Sequence, residues 1–123
     1  MIVQTEKAPK AIGPYSQAVI FDQLVFTSGQ LPLDPETGKI VGSRIEEQTK
    51  QSIHNLEEVL KAGGSDLSKV LKTTVLLKNM DDFAAMNKIY ADYFSGEFPG
   101  RSAVQVAKLP MDALVEIEAV ASR

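Results

Sequence analysis

Cysteine is absent from all 123 residues, and so is tryptophan. Without a thiol the chain forms no disulfide, carries no cysteine nucleophile and offers no thiolate to a metal. A single histidine, His54, removes most of the remaining transition-metal patterns. A serine triad would need that one ring within reach of Ser28, and no G-x-S-x-G elbow, P-loop or dinucleotide fingerprint occurs. Standing mid-helix beside Ile53, His54 reads as an ordinary surface or boundary residue. Positive charge is short as well. Thirteen Lys and Arg face sixteen Asp and Glu, a net charge of −3, so the chain lacks the field that supplies most non-specific nucleic-acid affinity, and no nucleic-acid partner is expected. No apolar run approaches the ~20 residues that span a bilayer. The opening "MIVQTEKAPK" has no continuous apolar core of the kind a secretory signal requires. These absences point to a cytoplasmic protein without a membrane partner.

The composition that remains is that of a folding chain, with 44% apolar and 24% charged residues. Its length fits one domain over residues 1–123, with a core that buries roughly two-thirds of the unfolded chain's surface. "IVQTEKAP" reads as a short edge strand ending before Pro9. "QAVIF" and "LVFTSGQL", parted by Asp22-Gln23, read as a hairpin, and "PLDPETGK" as a loop. From Ser43 to Ala62 the apolar spacing changes: Ile45, Thr49, Ile53, Leu56 and Leu60 return every three to four residues, and Gly63-Gly64 supplies a stop. "VLKTTVLLK" is β-branched and extended. A second helix is expected from about Met80 to Phe94, with the acids of "NMDD" at the positive end of its dipole. "RSAVQVAKL" and "LVEIEAVAS", joined by "PMDA", make the last two strands.

The order β-β-β, α, β, α, β-β predicts an α+β domain, a single sheet with two helices on one face. The other face then lacks a cover, and a chain of this size has nothing left to supply one, so self-association in a closed cyclic oligomer is expected.

Alternation along "RSAVQVA" puts Arg101, Ala103 and Gln105 on one side of their strand and Ser102 and Val104 on the other. After the turn chemistry of Pro99-Gly100, Arg101 is either a solvated strand end or an arginine positioned for an anion. Glu116 and Glu118 project together, opposite Val115, Ile117 and Ala119, and a solvated sheet face would explain both. In a simple hairpin centred near Met111, Arg101 falls opposite about Ala121, with Glu116 five residues along, or ~16 Å away. The pair would then share a ligand only across subunits. On the second helix Phe83, Asn87, Tyr90 and Phe94 form one stripe, so an amide interrupts an apolar face. Asn87 either bonds a neighbouring loop or points into a pocket or interface. Tyr15 follows Gly13-Pro14, and Ser28-Gly29 closes a strand where glycine would let backbone N–H groups approach an oxyanion.

Four stretches in succession, "AIGPYSQ", "FTSGQLPLDPETGKIV", "KTTVLLKNMDDFAAMN" and "FPGRSAVQVAKLPMDALVEIEA", resemble the RidA (reactive intermediate deaminase A, formerly YjgF) family over nearly the whole chain. The resemblance implies a chorismate-mutase-like fold and a homotrimer whose sheets face its interior and whose ligand clefts lie between subunits. It implies hydrolysis of reactive 2-imino acids and their enamine tautomers, 2-iminobutanoate and 2-iminopropanoate, to 2-oxo acids and ammonia, without a metal or organic cofactor. Such intermediates leave pyridoxal-phosphate-dependent dehydratases, and their removal would protect pyridoxal-phosphate enzymes. By the same resemblance Arg101 is the carboxylate-binding arginine and Glu116 the acid that handles the attacking water. Tyr15, Ser28, Gly29 and Asn87 would line the pocket. Many members carry cysteine where this chain has Ala103. A role through that residue's backbone survives the change, and thiol chemistry does not. Two other readings attach to such a chain: a non-catalytic, small-carboxylate-binding regulator or chaperone-like trimer, and a ribonuclease, the latter disfavoured by the acidic charge and the lack of a His pair or metal cluster.

Overall fold

The β-branched runs form strands in the expected order in a computed structural model that describes residues 1–94 and 96–123. They are β1 (Ile2–Val3), β2 (Ala18–Phe21), β3 (Leu24–Thr27), β4 (Val70–Leu77), β5 (Gly100–Gln105) and β6 (Val115–Ser122), with helices α1 (Ile45–Ala62) and α2 (Phe83–Tyr93). All six strands join one sheet in the order β1-β2-β3-β6-β4-β5. β2 and β3 make the hairpin around Asp22-Gln23, with Asp22 at a left-handed φ of 58°.

The last two strands do not pair. β5 runs parallel to β4, and β6 inserts between β3 and β4, antiparallel to both. A parallel pair needs a crossover, which α2 supplies. That crossover carries β5 to the sheet edge, so the chain must cross back over the end of β4 before entering β6. "PMDA" is therefore a return connection and not a hairpin turn. Lys78, just beyond β4, receives it through an ion pair with Asp112 at 2.9 Å and a backbone bond to the Leu114 carbonyl at 3.0 Å.

The stripe read from α1 is buried in full: Ile45, Thr49, Ile53, Leu56 and Leu60 face the sheet, and the helix stops at Gly63, with Gly64 left-handed at φ 84°. The second helix begins later than expected. Asn79 accepts a hydrogen bond from the Asp81 N–H at 2.8 Å and closes a single 3₁₀ turn, Met80–Asp82, which takes up both acids before α2 starts.

Val25, Val75, Leu77, Val115 and Ile117 meet Ile53, Leu56, Leu60 and Met86 in one core between sheet and helices. Each fully buried aliphatic side chain contributes about 1.5–3 kcal/mol. Both helices lie on this face. The opposite face exposes Val19, Phe21, Phe26 and Val104. Among the described residues, no helix is long and apolar enough to cross a membrane.

Candidate active site

Arg101 projects from β5 toward α2, on the helix-covered side of the sheet. Its register partner on β4 is Thr73, whose own partner on β6 is Ala119; both are buried against the helices. The guanidinium carbon lies 4.8 Å from the centre of the Tyr90 ring and 5.4 Å from that of Phe83. Nη1 donates to the Asn87 Oδ1 at 2.7 Å. The amide interrupting the apolar stripe of α2 is thus spent on the arginine, not on a loop. Among the described residues Arg101 has no carboxylate partner, and it borders a cavity of about 450 Å³ with Asn87, Tyr90, Phe98 and Pro99. A guanidinium with its face covered and one nitrogen engaged keeps an edge for two parallel hydrogen bonds to a carboxylate.

The strand that carries Arg101 also offers backbone groups. The Val106 N–H donates to the Leu77 carbonyl at 2.9 Å. In a parallel ladder this turns Ser102, Val104 and Val106 toward β4, and turns the N–H and C=O of Arg101, Ala103 and Gln105 outward, where β5 is the sheet's edge. Ala103 therefore presents an amide and a carbonyl beside the arginine, while its methyl packs on the core.

Glu116 leaves β6 on the opposite, uncovered face, in one row with Leu76 and Val104. Burial, and secondarily the neighbouring Glu118 carboxylate, raises its pKa above the ordinary glutamate value. The described residues donate no hydrogen bond to it. Its carboxyl lies over Gly29, where a Cβ would collide with it. A bulge makes the room: Phe26 pairs with Val120 and Gln30 with Ile117, so four steps on one strand match three on the other. Ser28, inside the bulge, donates its hydroxyl proton to the Ser16 carbonyl at 2.5 Å, so toward a ligand it can only accept. Tyr15 is exposed and shares with Gly29, Ile12, Leu31 and Met111 a second cavity of about 340 Å³. Gln17, buried among the backbone of residues 5–9, holds this segment down: its amide donates to Thr5 and Pro9 carbonyls at 3.0 and 2.8 Å and accepts from the Thr5 N–H at 2.7 Å.

The candidate residues thus fall into two groups. Arg101, Asn87 and the Ala103 backbone stand at one edge, and Tyr15, Ser28, Gly29 and Glu116 stand together elsewhere. Arg101 aligns with Thr73 and Glu116 with Leu76, three residues along and two strands across, or ~14 Å between Cα positions, with the side chains on opposite faces. The hairpin assumed from sequence was wrong, yet its consequence holds more strongly: one chain cannot bring these two side chains to one small ligand. Sequence reasoning missed Tyr90 and Phe83 as the arginine's platform. Their place on one stripe with Asn87 was the available signal, read only as an apolar face. Thr73 and Gln17 gave no signal of their own.

Sheet order, helix placement and a divided polar site define an α+β protein of a fold already known in solved structures; E. coli TdcF with bound serine matches with a TM-score of 0.95, 41% identity and coverage of 100% of this chain and 98% of that one. The family described as Endoribonuclease L-PSP matches residues 5–123, and the chain belongs to it. Within that family its likeness is to RidA proteins. It is 53% identical to Reactive Intermediate Deaminase A, chloroplastic, of Arabidopsis thaliana, over 98% of this chain and 65% of that protein. It is 52% identical to the 2-iminobutanoate/2-iminopropanoate deaminase of Mus musculus, over 98% of this chain and 89% of that protein.

Proposed function

We propose that this protein is a cofactor-independent deaminase that hydrolyses 2-imino acids and their enamine tautomers, with 2-iminobutanoate and 2-iminopropanoate as substrates. The observation that carries the reading is the Arg101 guanidinium, held over the Tyr90 ring, bonded to Asn87, free of any carboxylate partner among the described residues and open to a cavity. The names of relatives at about half identity over nearly the full chain give it a substrate. In this scheme Arg101 grips the substrate carboxylate and the outward amide and carbonyl of Ala103 flank the imine. Water adds to C2 as Glu116 takes one of its protons and passes it to the imine nitrogen, giving a carbinolamine. Glu116 then takes the carbinol O–H proton and delivers it to the amine nitrogen as the C–N bond breaks, leaving a 2-oxo acid and ammonia. A 2-imino acid is already electrophilic at C2, so the chemistry asks for placement and proton transfer and for no metal.

The site is assembled between subunits of a homotrimer, with Glu116, Gly29, Ser28 and Tyr15 from one chain facing Arg101 and Asn87 of the next. The opposite-face geometry of Arg101 and Glu116 and the uncovered apolar sheet face support this assembly. We place the reaction in the cytoplasm, beside the pyridoxal-phosphate enzymes that release such imines and that it would protect. The test is to generate 2-iminobutanoate in situ with a threonine dehydratase, trap surviving imine with semicarbazide, and compare the protein with its Arg101→Ala variant. Catalytic loss of the trapped adduct with the wild type alone supports the reading. Equal trapping with both proteins overturns it.

A further inference from the structure

Tyr90 is nearly fully buried on α2, 4% exposed, and its ring stacks on Phe94 with centroids 4.4 Å apart. Its hydroxyl meets the Thr73 hydroxyl at 2.7 Å, in the core between helix and sheet. Neither hydroxyl has another partner among the described residues. Thr73 is also the register partner of Arg101 on the adjoining strand, so the two side chains leave the same face side by side. Thr73 therefore fixes the hydroxyl end of the Tyr90 ring, Phe94 packs against the ring, and the Arg101 guanidinium carbon lies over it, 4.8 Å from its centre.

A buried tyrosine hydroxyl needs a partner, and phenylalanine would fill the same volume without that demand. What the hydroxyl pair adds is a unique ring position. A guanidinium over an aromatic face is attracted to the ring's negative surface, and the Asn87 bond holds one of its nitrogens. We propose that Thr73 and Tyr90 are positioning residues for the carboxylate-binding arginine: their buried hydroxyl pair locks the ring that holds the Arg101 guanidinium in its binding orientation before a ligand arrives. The inference rests on Arg101 being the carboxylate anchor.

Holding the guanidinium in advance removes an ordering cost from carboxylate binding, and the cost of immobilising one long side chain sets the scale of the effect. Thr73→Val and Tyr90→Phe should each raise the Kd for 2-oxobutanoate and the KM for 2-iminobutanoate three- to tenfold, which is about 0.6–1.4 kcal/mol, with kcat within twofold of wild type. Thr73→Ser keeps the hydroxyl and should restore both constants. The Thr73→Val/Tyr90→Phe double variant should bind no worse than the weaker single variant, because both changes break the same bond.

The ¹⁵N-labelled side chain reads the same proposal without a ligand. The Arg101 Nε–H signal, assigned by its absence in Arg101→Lys, should be shifted by the ring beneath it and show restricted motion in wild type. It should move toward the averaged arginine position in Thr73→Val and furthest in Tyr90→Leu. If the variants only lower the melting temperature while Kd, KM and the Nε–H signal stay at wild-type values, Thr73 and Tyr90 are merely structural and the proposal is overturned. If wild type neither binds 2-oxobutanoate nor consumes imine, the deaminase reading fails. A restrained Nε–H signal lost in the variants would then still support the locked guanidinium, and an averaged signal in wild type would overturn it.

Discussion

A carboxylate that must take a proton from water near neutrality works better when held above its ordinary pKa, and burial, with help from Glu118, moves Glu116 that way. In the proposed mechanism activity requires the ionised form, so it is lost as pH falls through the raised pKa. The acid limb of the kcat/KM profile should lie above the usual glutamate range of about 4.3. Glu118→Gln should move that limb to lower pH. A limb in the ordinary range, unmoved in the variant, would show that Glu116 is not the titrating base. The same shift costs stability. Between the unfolded and the raised folded pKa the folded state holds more protons, so stability falls as pH rises through that window, and the penalty is complete above it. Glu116→Gln should therefore cut turnover by about 10²–10⁴-fold, leave 2-oxobutanoate binding intact, and raise the Tm at pH 7. Steady-state kinetics and a thermal melt of one variant read all three. Gly29→Ala sets a Cβ against that carboxyl and should lower kcat about 10–100-fold with an unchanged circular-dichroism spectrum. Full activity would mean that the carboxyl works from another position.

At the scale of elements, α1 does more than cover the sheet. Fully buried Asn55 donates to the Leu31 and Leu33 carbonyls at 3.0 and 2.9 Å and accepts from Gln51 at 2.9 Å. Gln48 reaches the Gly42 carbonyl and accepts from the Leu114 N–H. The loop between β3 and α1 is thus pinned by amides of the helix behind it, and this loop walls the cavity beside Tyr15 and Gly29. Asn55→Leu takes one donor from each carbonyl, leaving Leu31 to the Leu33 N–H and Leu33 to the Gln51 amide, and should cost about 1–3 kcal/mol in a urea titration. Limited proteolysis should then cut first within residues 34–42. Cleavage that begins elsewhere would assign the loop's order to its own turn bonds, such as the Asp34 carboxylate accepting from the Glu36 N–H at 2.8 Å.

For the whole molecule, the uncovered face and the two separated groups lead to one experiment. In a cyclic trimer with sites between neighbours, co-expressed Arg101→Ala and Glu116→Gln chains assemble at random. A quarter of the sites then combine an intact arginine with an intact glutamate, so activity should return to about one quarter of wild type from two inactive parents. No recovery in verified mixed oligomers would place the whole reaction within one chain. Phe26→Asp puts a charge on the exposed apolar face and should dissociate the assembly and abolish turnover together, as read by light scattering beside the trapping assay.

The sequence by itself determined the elements, their order and the side of each strand a residue occupies, because backbone periodicity and capping act over a few neighbouring positions. The burial of Ile53, Leu56 and Leu60, the pairing of β2 with β3 and the shared face of Glu116 and Glu118 were all legible at that range. Pairing between strands distant in the chain was not. Alternation says which residues lie on the same side of one strand, but is silent on which strand lies beside it. Only the tertiary structure decided that β6 enters between β3 and β4, that Arg101 and Glu116 leave opposite faces, and that the Tyr90 hydroxyl finds Thr73. Each of these joins residues distant in the chain, and the closing of the whole sheet over one core sets them.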